Sequence, residues 1–127
     1  MIVGMGIDIV RSPRIERIHA RFGSRFARRI LTEDEFTEWQ ARGQSPAFLA
    51  KRFAVKEATA KAFRTGFRDG LRYSHISVEH DAVGAPTLRF DGVAAERAAL
   101  LGVRRHHVSI SDEQGLAVAC VMLEGGP

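Results

Sequence analysis

The sequence predicts an α+β fold: one domain over residues 1–127, with a largely antiparallel sheet packed against helices. Three observations predict it. Both ends of the chain carry apolar runs rich in strand formers, MIVGMGIDIV at 1–10 and LAVACVML at 116–123. Between them, residues 46–63 repeat large apolar side chains at helical spacing. Shorter segments around 76–78, 88–90 and 106–111 alternate apolar with polar residues, as half-buried strands do. At 127 residues and 45% hydrophobic, the chain can bury roughly two-thirds of its unfolded surface around a single core. Disorder and fibrous folds are excluded by that composition. A lone Cys excludes an internal disulfide.

Each element follows in order. Met1–Val10 reads as a strand in which Gly4 and Gly6 mark a bulge or a close approach of another backbone. Ser12-Pro13 is a helix start, with Ser12 as cap and Pro13 in the first turn. The helix 13–22 buries Ile15, Ile18 and Phe22 and turns Arg14, Arg17 and Arg21 the other way; Arg25, Arg28 and Arg29 extend the basic region. Thr32-Glu33-Asp34-Glu35 is a capping box opening a short helix that Gly43 ends. Ser45-Pro46 opens the long helix, which runs to about Phe63. Gly84-Ala85-Pro86 is the turn of a hairpin. Gly92–Leu101 is a helix closed by Gly102. His106–Ser111 and Leu116–Leu123 are the last strands, the second buried, with Cys120 read as a small core residue. The order is strand, three helices, two strands, helix, two strands.

Charge narrows the function classes. The net charge is +4, and only three of the 19 basic residues are Lys. Arg favours planar, bidentate contact with phosphate or carboxylate, so the balance suggests an anionic partner. No export signal and no run near the roughly 20 apolar residues of a membrane span is present, which points to the cytoplasm. No P-loop, no dinucleotide-binding glycine fingerprint and no zinc spacing occurs.

The long helix carries the chemistry. Phe48, Leu49, Phe53, Val55 and Phe63 form a wide apolar arc, yet Arg52 and Lys56 fall inside it and Glu57 and Lys61 lie at its edge. Ala54, Ala58 and Ala62 line the other side and let a second backbone come close. A simple amphipathic helix sets its charges opposite its hydrophobes. Two readings stay open. Glu57 and Lys61 form a surface pair while Arg52 and Lys56 snorkel, or the charges are buried with partners at a site. Asp8, between Ile7 and Ile9, is the second anomaly: a carboxylate there needs a salt bridge, a turn role or a cation. Joined with Glu57, it fits a Mg²⁺ site completed by phosphates and water, with Lys61 one helical turn further on. His106 and His107 are surface histidines or hydrogen-bond donors to a phosphate.

Three segments carry a resemblance: GIDIV (Gly6–Val10), RFAVKEATAKAF (Arg52–Phe63) and HVSIS (His107–Ser111). Together, in this order, they resemble the holo-acyl-carrier-protein synthase family of 4′-phosphopantetheinyl transferases, whose central motif reads [FW]-x-x-K-E-[AS]-x-x-K. The resemblance covers essentially the whole chain and implies that family's fold. It implies transfer of the 4′-phosphopantetheine arm of coenzyme A to a serine of apo acyl carrier protein, releasing 3′,5′-ADP. By the same resemblance, Asp8 and Glu57 would bind Mg²⁺, and Glu57 and Lys61 would act at the reacting phosphate. Arg52, Lys61 and His107 would contact coenzyme A phosphates, and the Gly84–Pro86 turn its adenine. It also implies a homotrimer with active sites between subunits, and an acidic carrier docked on Arg14, Arg17, Arg21, Arg25 and Arg28.

The chain departs from the family at four points. Arg64 stands where Gly is common, Ala85 where Lys is frequent, Asp112 where His is frequent, and Leu116 where an aromatic is common. None of these removes a metal ligand or Lys61. Two other classes compete. A nucleic-acid-binding module would account for the arginines but lacks the interleaved aromatics of a stacking platform. A trimeric carrier-protein adaptor would dock without transfer, against which Asp8, Glu57 and Lys61 all stand.

Overall fold

The computed structural model describes residues 1–126. Its elements are β1 (Ile2–Arg11), α1 (Ser12–Phe22), α2 (Arg25–Ile30), α3 (Glu33–Ala41), α4 (Pro46–Ala62), a 3₁₀ turn (Tyr73–His75), β2 (Ile76–His80), β3 (Pro86–Phe90), α5 (Gly92–Leu100), β4 (Val103–Glu113) and β5 (Leu116–Gly125). The strands form two antiparallel sheets. One is three-stranded, in the order β1-β5-β4, and the other is the β2-β3 hairpin. The α+β class holds. The expected single sheet is divided, because β3 packs against β4 without joining its ladder. The short α2 was not expected. It has only six residues, and its N-cap, Ser24, makes no side-chain capping bond.

The local signals were mostly those the residues imply. Thr32 and Glu35 close the capping box: Glu35 N–H donates to Thr32 Oγ1 at 3.3 Å, and Thr32 N–H to Glu35 Oε1 at 2.9 Å. Ser45 caps α4, accepting from the Phe48 N–H at 3.2 Å. Ser12 does not cap α1. It is the first helical residue, and its own N–H donates to Gly115 O at 2.7 Å, tying the helix start to the β4–β5 turn. Arg64, just past the end of α4, sits at φ 72. That left-handed position is one that glycine occupies without strain, a physical reason for glycine to be common there in the family.

The packing of α4 on β1 organises the rest. Alternate residues of β1 face the helix, and a Cβ on Gly4 would lie 1.9 Å from Ala62 O, one on Gly6 1.9 Å from Ala58 O. No side chain fits in either gap. The alanine stripe of α4 and the two glycines therefore let helix and strand backbones nearly touch, as their spacing suggested. On the neighbouring strand β5, Ala117, Ala119, Val121 and Leu123 face inward and are fully buried. The other flank of α4 meets α1, α2, α3 and β2, so most of the helix is enclosed.

The opposite face of the three-stranded sheet is uncovered. Met5, Ile7 and Ile9 are each about 60% exposed, and Val118, Cys120 and Met122 lie across from Ile9, Ile7 and Met5 in the register. Cys120 is therefore a half-buried residue of this outer face, not a core residue as read from the apolar run. The run looks continuous because β5 is apolar on both sides.

Candidate active site

The close approach of β1 to α4 sets the site. Two residues beyond Gly6, Asp8 occupies the same strand face and points toward α4. Its Oδ1 lies 3.1 Å from Lys61 Nζ, which also donates to Ile7 O at 2.9 Å. Asp8 is thus paired by a salt bridge. The Asp8 side chain is 16% exposed and that of Lys61 53%, so the pair opens to solvent at its cationic end. Glu57, one turn before Lys61, is half-buried. The expected Glu57–Lys61 surface pair does not form. Glu57 Oε1 instead accepts the Tyr73 O–H at 2.6 Å.

Tyr73 connects the two carboxylates electrostatically. Burial raises its phenol well above the ordinary value; Glu57 adds to this, Arg29 opposes it, and Asp8 adds a further increment. The hydroxyl is accordingly a proton donor throughout the neutral range. Tyr73 also lines a cleft of about 430 Å³ with Phe67 and Leu71, ringed by Arg28, Arg29 and Arg72. A second groove of about 460 Å³, lined by Ile18, Phe22, Arg25 and Phe26, shares Arg29 with it. Through Tyr73, Glu57 is joined to an arginine-ringed cleft; arginines suit a phosphorylated ligand and carboxylates a divalent cation.

The two remaining charges of α4 are used inside the fold. Lys56 is fully buried and donates to Glu35 Oε1 and to Ile30 O, each at 2.6 Å. Burial pulls its ammonium below the ordinary lysine value against the opposing pull of Glu35. Arg52 is 5% exposed, with Nε 3.8 Å from Glu35 Oε2, Nη2 3.9 Å from Glu38 Oε1 and its guanidinium 4.3 Å above the Phe48 ring. The Arg52 guanidinium is thus enclosed by Glu35, Glu38 and Phe48, and its Nε has no hydrogen-bond partner among the described residues. Glu35, read from the sequence only as half of a capping box, also accepts the Val78 N–H at 2.9 Å and joins α3, α4 and β2.

The other expected site residues lie apart. Gly84 and Pro86 stand at the tip of the β2–β3 hairpin, where Asp81 Oδ1 accepts the N–H groups of Val83 and Ala85. His107 lies on the outer sheet face, its Nε2 3.0 Å from Glu124 Oε2. Arg105 and then His107 hold the Glu124 carboxyl down to about 2. Among the described residues no hydrogen bond or ion pair links Gly84, Pro86 or His107 to Asp8, Glu57 or Lys61. Arg14, Arg17, Arg21, Arg25 and Arg28 are all exposed.

Comparison with known proteins identifies the kind of molecule. The sequence model of the 4′-phosphopantetheinyl transferase superfamily matches residues 4–121. A holo-[acyl-carrier-protein] synthase of Halorhodospira halophila is 51% identical over 126 residues, which are 99% of this chain and 100% of that one. The chain belongs to the 4′-phosphopantetheinyl transferase superfamily. Within it the likeness is to the holo-[acyl-carrier-protein] synthases. The crystal structure of the enzyme from Neisseria meningitidis superposes with a TM-score of 0.91 at 41% identity, covering 98% of this chain and 99% of that one. The Bacillus anthracis enzyme, solved in complex with CoA (3′,5′-ADP), gives a TM-score of 0.78 at 37% identity, covering 99% of each chain. This chain is accordingly a phosphopantetheinyl transferase of the same type. Among the described residues no helix is long and apolar enough to cross a membrane.

Proposed function

We propose that this transferase is Mg²⁺-dependent and releases 3′,5′-ADP, and that Asp8, Glu57 and Lys61 form its reaction centre. What supports this is that Lys61, which reaches solvent, pairs with Asp8 at 3.1 Å and lies one helical turn from Glu57, a carboxylate 49 positions from Asp8 in sequence. Among the described residues no group of three His, Cys, Asp or Glu side chains could hold a metal. A pair of carboxylates nonetheless fits Mg²⁺, which takes one or two from a protein and completes its shell with phosphate and water oxygens. Asp8 and Glu57 would hold it, and the bound ion would supply charge stabilisation at the pyrophosphate.

The rest of the reaction falls to the chain and its substrates. The carrier serine Oγ attacks the β-phosphorus of coenzyme A, and the bond from that phosphorus to the bridging oxygen breaks. The electron pair leaves with 3′,5′-ADP, and the serine proton passes to Glu57 or to water in the site. Lys61 stabilises a phosphate oxygen with its exposed ammonium. The hairpin tip at Gly84 and Pro86 contacts the adenine through its backbone. Incubation with coenzyme A, apo carrier and Mg²⁺ should yield 3′,5′-ADP by ion-pair chromatography. No product, or product undiminished by EDTA, would count against this reading.

Assembly as a homotrimer is part of the same reading. An exposed apolar sheet face of this extent favours association between copies. His107 lies on that face and is assigned to the active site of a neighbouring copy, where its imidazole donates a hydrogen bond to a coenzyme A phosphate. The exposed stripe Arg14, Arg17, Arg21, Arg25 and Arg28 is assigned to the acidic carrier protein. Reversing Arg14 and Arg21 to Glu should raise KM for the carrier by about tenfold at low salt, with less effect as salt rises, and leave KM for coenzyme A unchanged. A change confined to the coenzyme A constant would refute the stripe. The whole chain acts as one transferase domain in the cytoplasm.

A further inference from the structure

Tyr73 has no part in the roles above, yet it makes the only hydrogen bond or ion pair that reaches Glu57 among the described residues, at 2.6 Å. The ring is fixed independently of that bond. It stacks on Phe67 with centroids 3.9 Å apart and on Phe53 at 5.8 Å, and Phe53 packs in turn on Phe26 at 5.6 Å. The phenol oxygen is therefore held by an aromatic row running from α2 across α4 to the 3₁₀ turn. Glu57 has a flexible side chain in a half-buried position. Asp8, by contrast, is held by Lys61 on its own account. A bond from Tyr73 to Oε1 leaves Oε2 without a hydrogen-bond partner among the described residues.

We infer that Tyr73 is a positioning residue: its hydroxyl fixes the orientation of the Glu57 carboxylate beside Asp8 and so sets how tightly the pair holds a divalent cation. The inference rests on the metal reading of Asp8 and Glu57 proposed above. Partners that hydrogen-bond a ligating carboxylate orient it, and their loss costs about 10- to 100-fold in metal affinity. No residue other than Tyr73 performs this for Glu57 among those described. The row of rings keeps its place without the hydroxyl, so Phe at this position preserves the packing and removes only the donor.

The test is a Mn²⁺ titration read by electron paramagnetic resonance. It uses the full chain with coenzyme A and no carrier, and subtracts coenzyme A alone. Tyr73→Phe should weaken Mn²⁺ binding by about tenfold or more and leave the melting temperature close to that of the unsubstituted protein. Its apparent Mg²⁺ constant in turnover should rise by the same factor, while kcat at saturating Mg²⁺ changes far less. In a Glu57→Ala background, which has no acceptor for the phenol, the same substitution should add nothing, whereas a purely structural role would weaken both backgrounds alike. Equal Mn²⁺ affinity with and without the hydroxyl would overturn the inference and leave the metal reading standing. Mn²⁺ binding that survives Glu57→Gln intact would overturn both.

Discussion

Asp8→Ala or Glu57→Ala is expected to lower kcat by about 10³-fold, from the several kcal/mol of charge stabilisation a correctly held metal ion supplies. The fold should survive both changes. Asp8 is paired with a lysine that is more than half exposed, and pairs of that kind contribute about 0–1 kcal/mol. Glu57→Ala removes one acceptor from a half-buried phenol, a loss of about 1 kcal/mol. Turnover at saturating coenzyme A and carrier, measured beside a thermal melt, separates the two effects. Near-normal turnover in both variants would remove Asp8 and Glu57 from the reaction centre. A collapse of the melt with turnover would make them structural.

Gly6→Ala is expected to disrupt the fold strongly. Its Cβ would lie 1.9 Å from the Ala58 carbonyl oxygen and 2.9 Å from Ala62 N. Both obstacles are helix backbone, which cannot rotate away as a side chain could. Strand and helix must separate, at a cost of about 3 kcal/mol, the upper part of the usual range for overpacking. For a chain of this size that lowers Tm by roughly 10 °C. Because Asp8 is carried on the same strand, activity should fall even where the variant remains folded. A melt unchanged by Gly6→Ala would mean that β1 and α4 do not meet as closely as described.

Particular residues show why parts of the site were legible in sequence and others were not. Gly4, Gly6 and the stripe Ala54, Ala58, Ala62 announced a close approach, because small residues at strand and helix periods have few other uses. Asp8 between two isoleucines announced a carboxylate in need of a partner, and left open whether that was a salt bridge, a turn or a cation. Arg52 and Lys56 announced themselves too, as charges within an apolar arc, but that pattern has two solutions. One is a ligand-facing cleft; the other is an internal counter-charge. Here the counter-charge is Glu35, already accounted for by the capping box, and nothing in the spacing ties a residue of α3 to α4.

Tyr73 was missed for a different reason. It lies in a connection between α4 and β2, where no periodicity marks which side chain turns inward. The outer sheet face was hidden by its own composition. Alternation is visible only when one side of a strand is polar, and Leu116, Val118, Cys120 and Met122 are as apolar as the buried residues between them. A strand apolar on both sides is itself a sign that something covers the second face.

The most direct measurement is the intact mass of an apo acyl carrier protein after incubation with this protein, coenzyme A and Mg²⁺, with an EDTA control. The account predicts a gain of one phosphopantetheine, lost in EDTA and lost with Asp8→Ala or Glu57→Ala. No gain on fatty-acid or polyketide carriers, or a gain that persists in EDTA and in both variants, would contradict it.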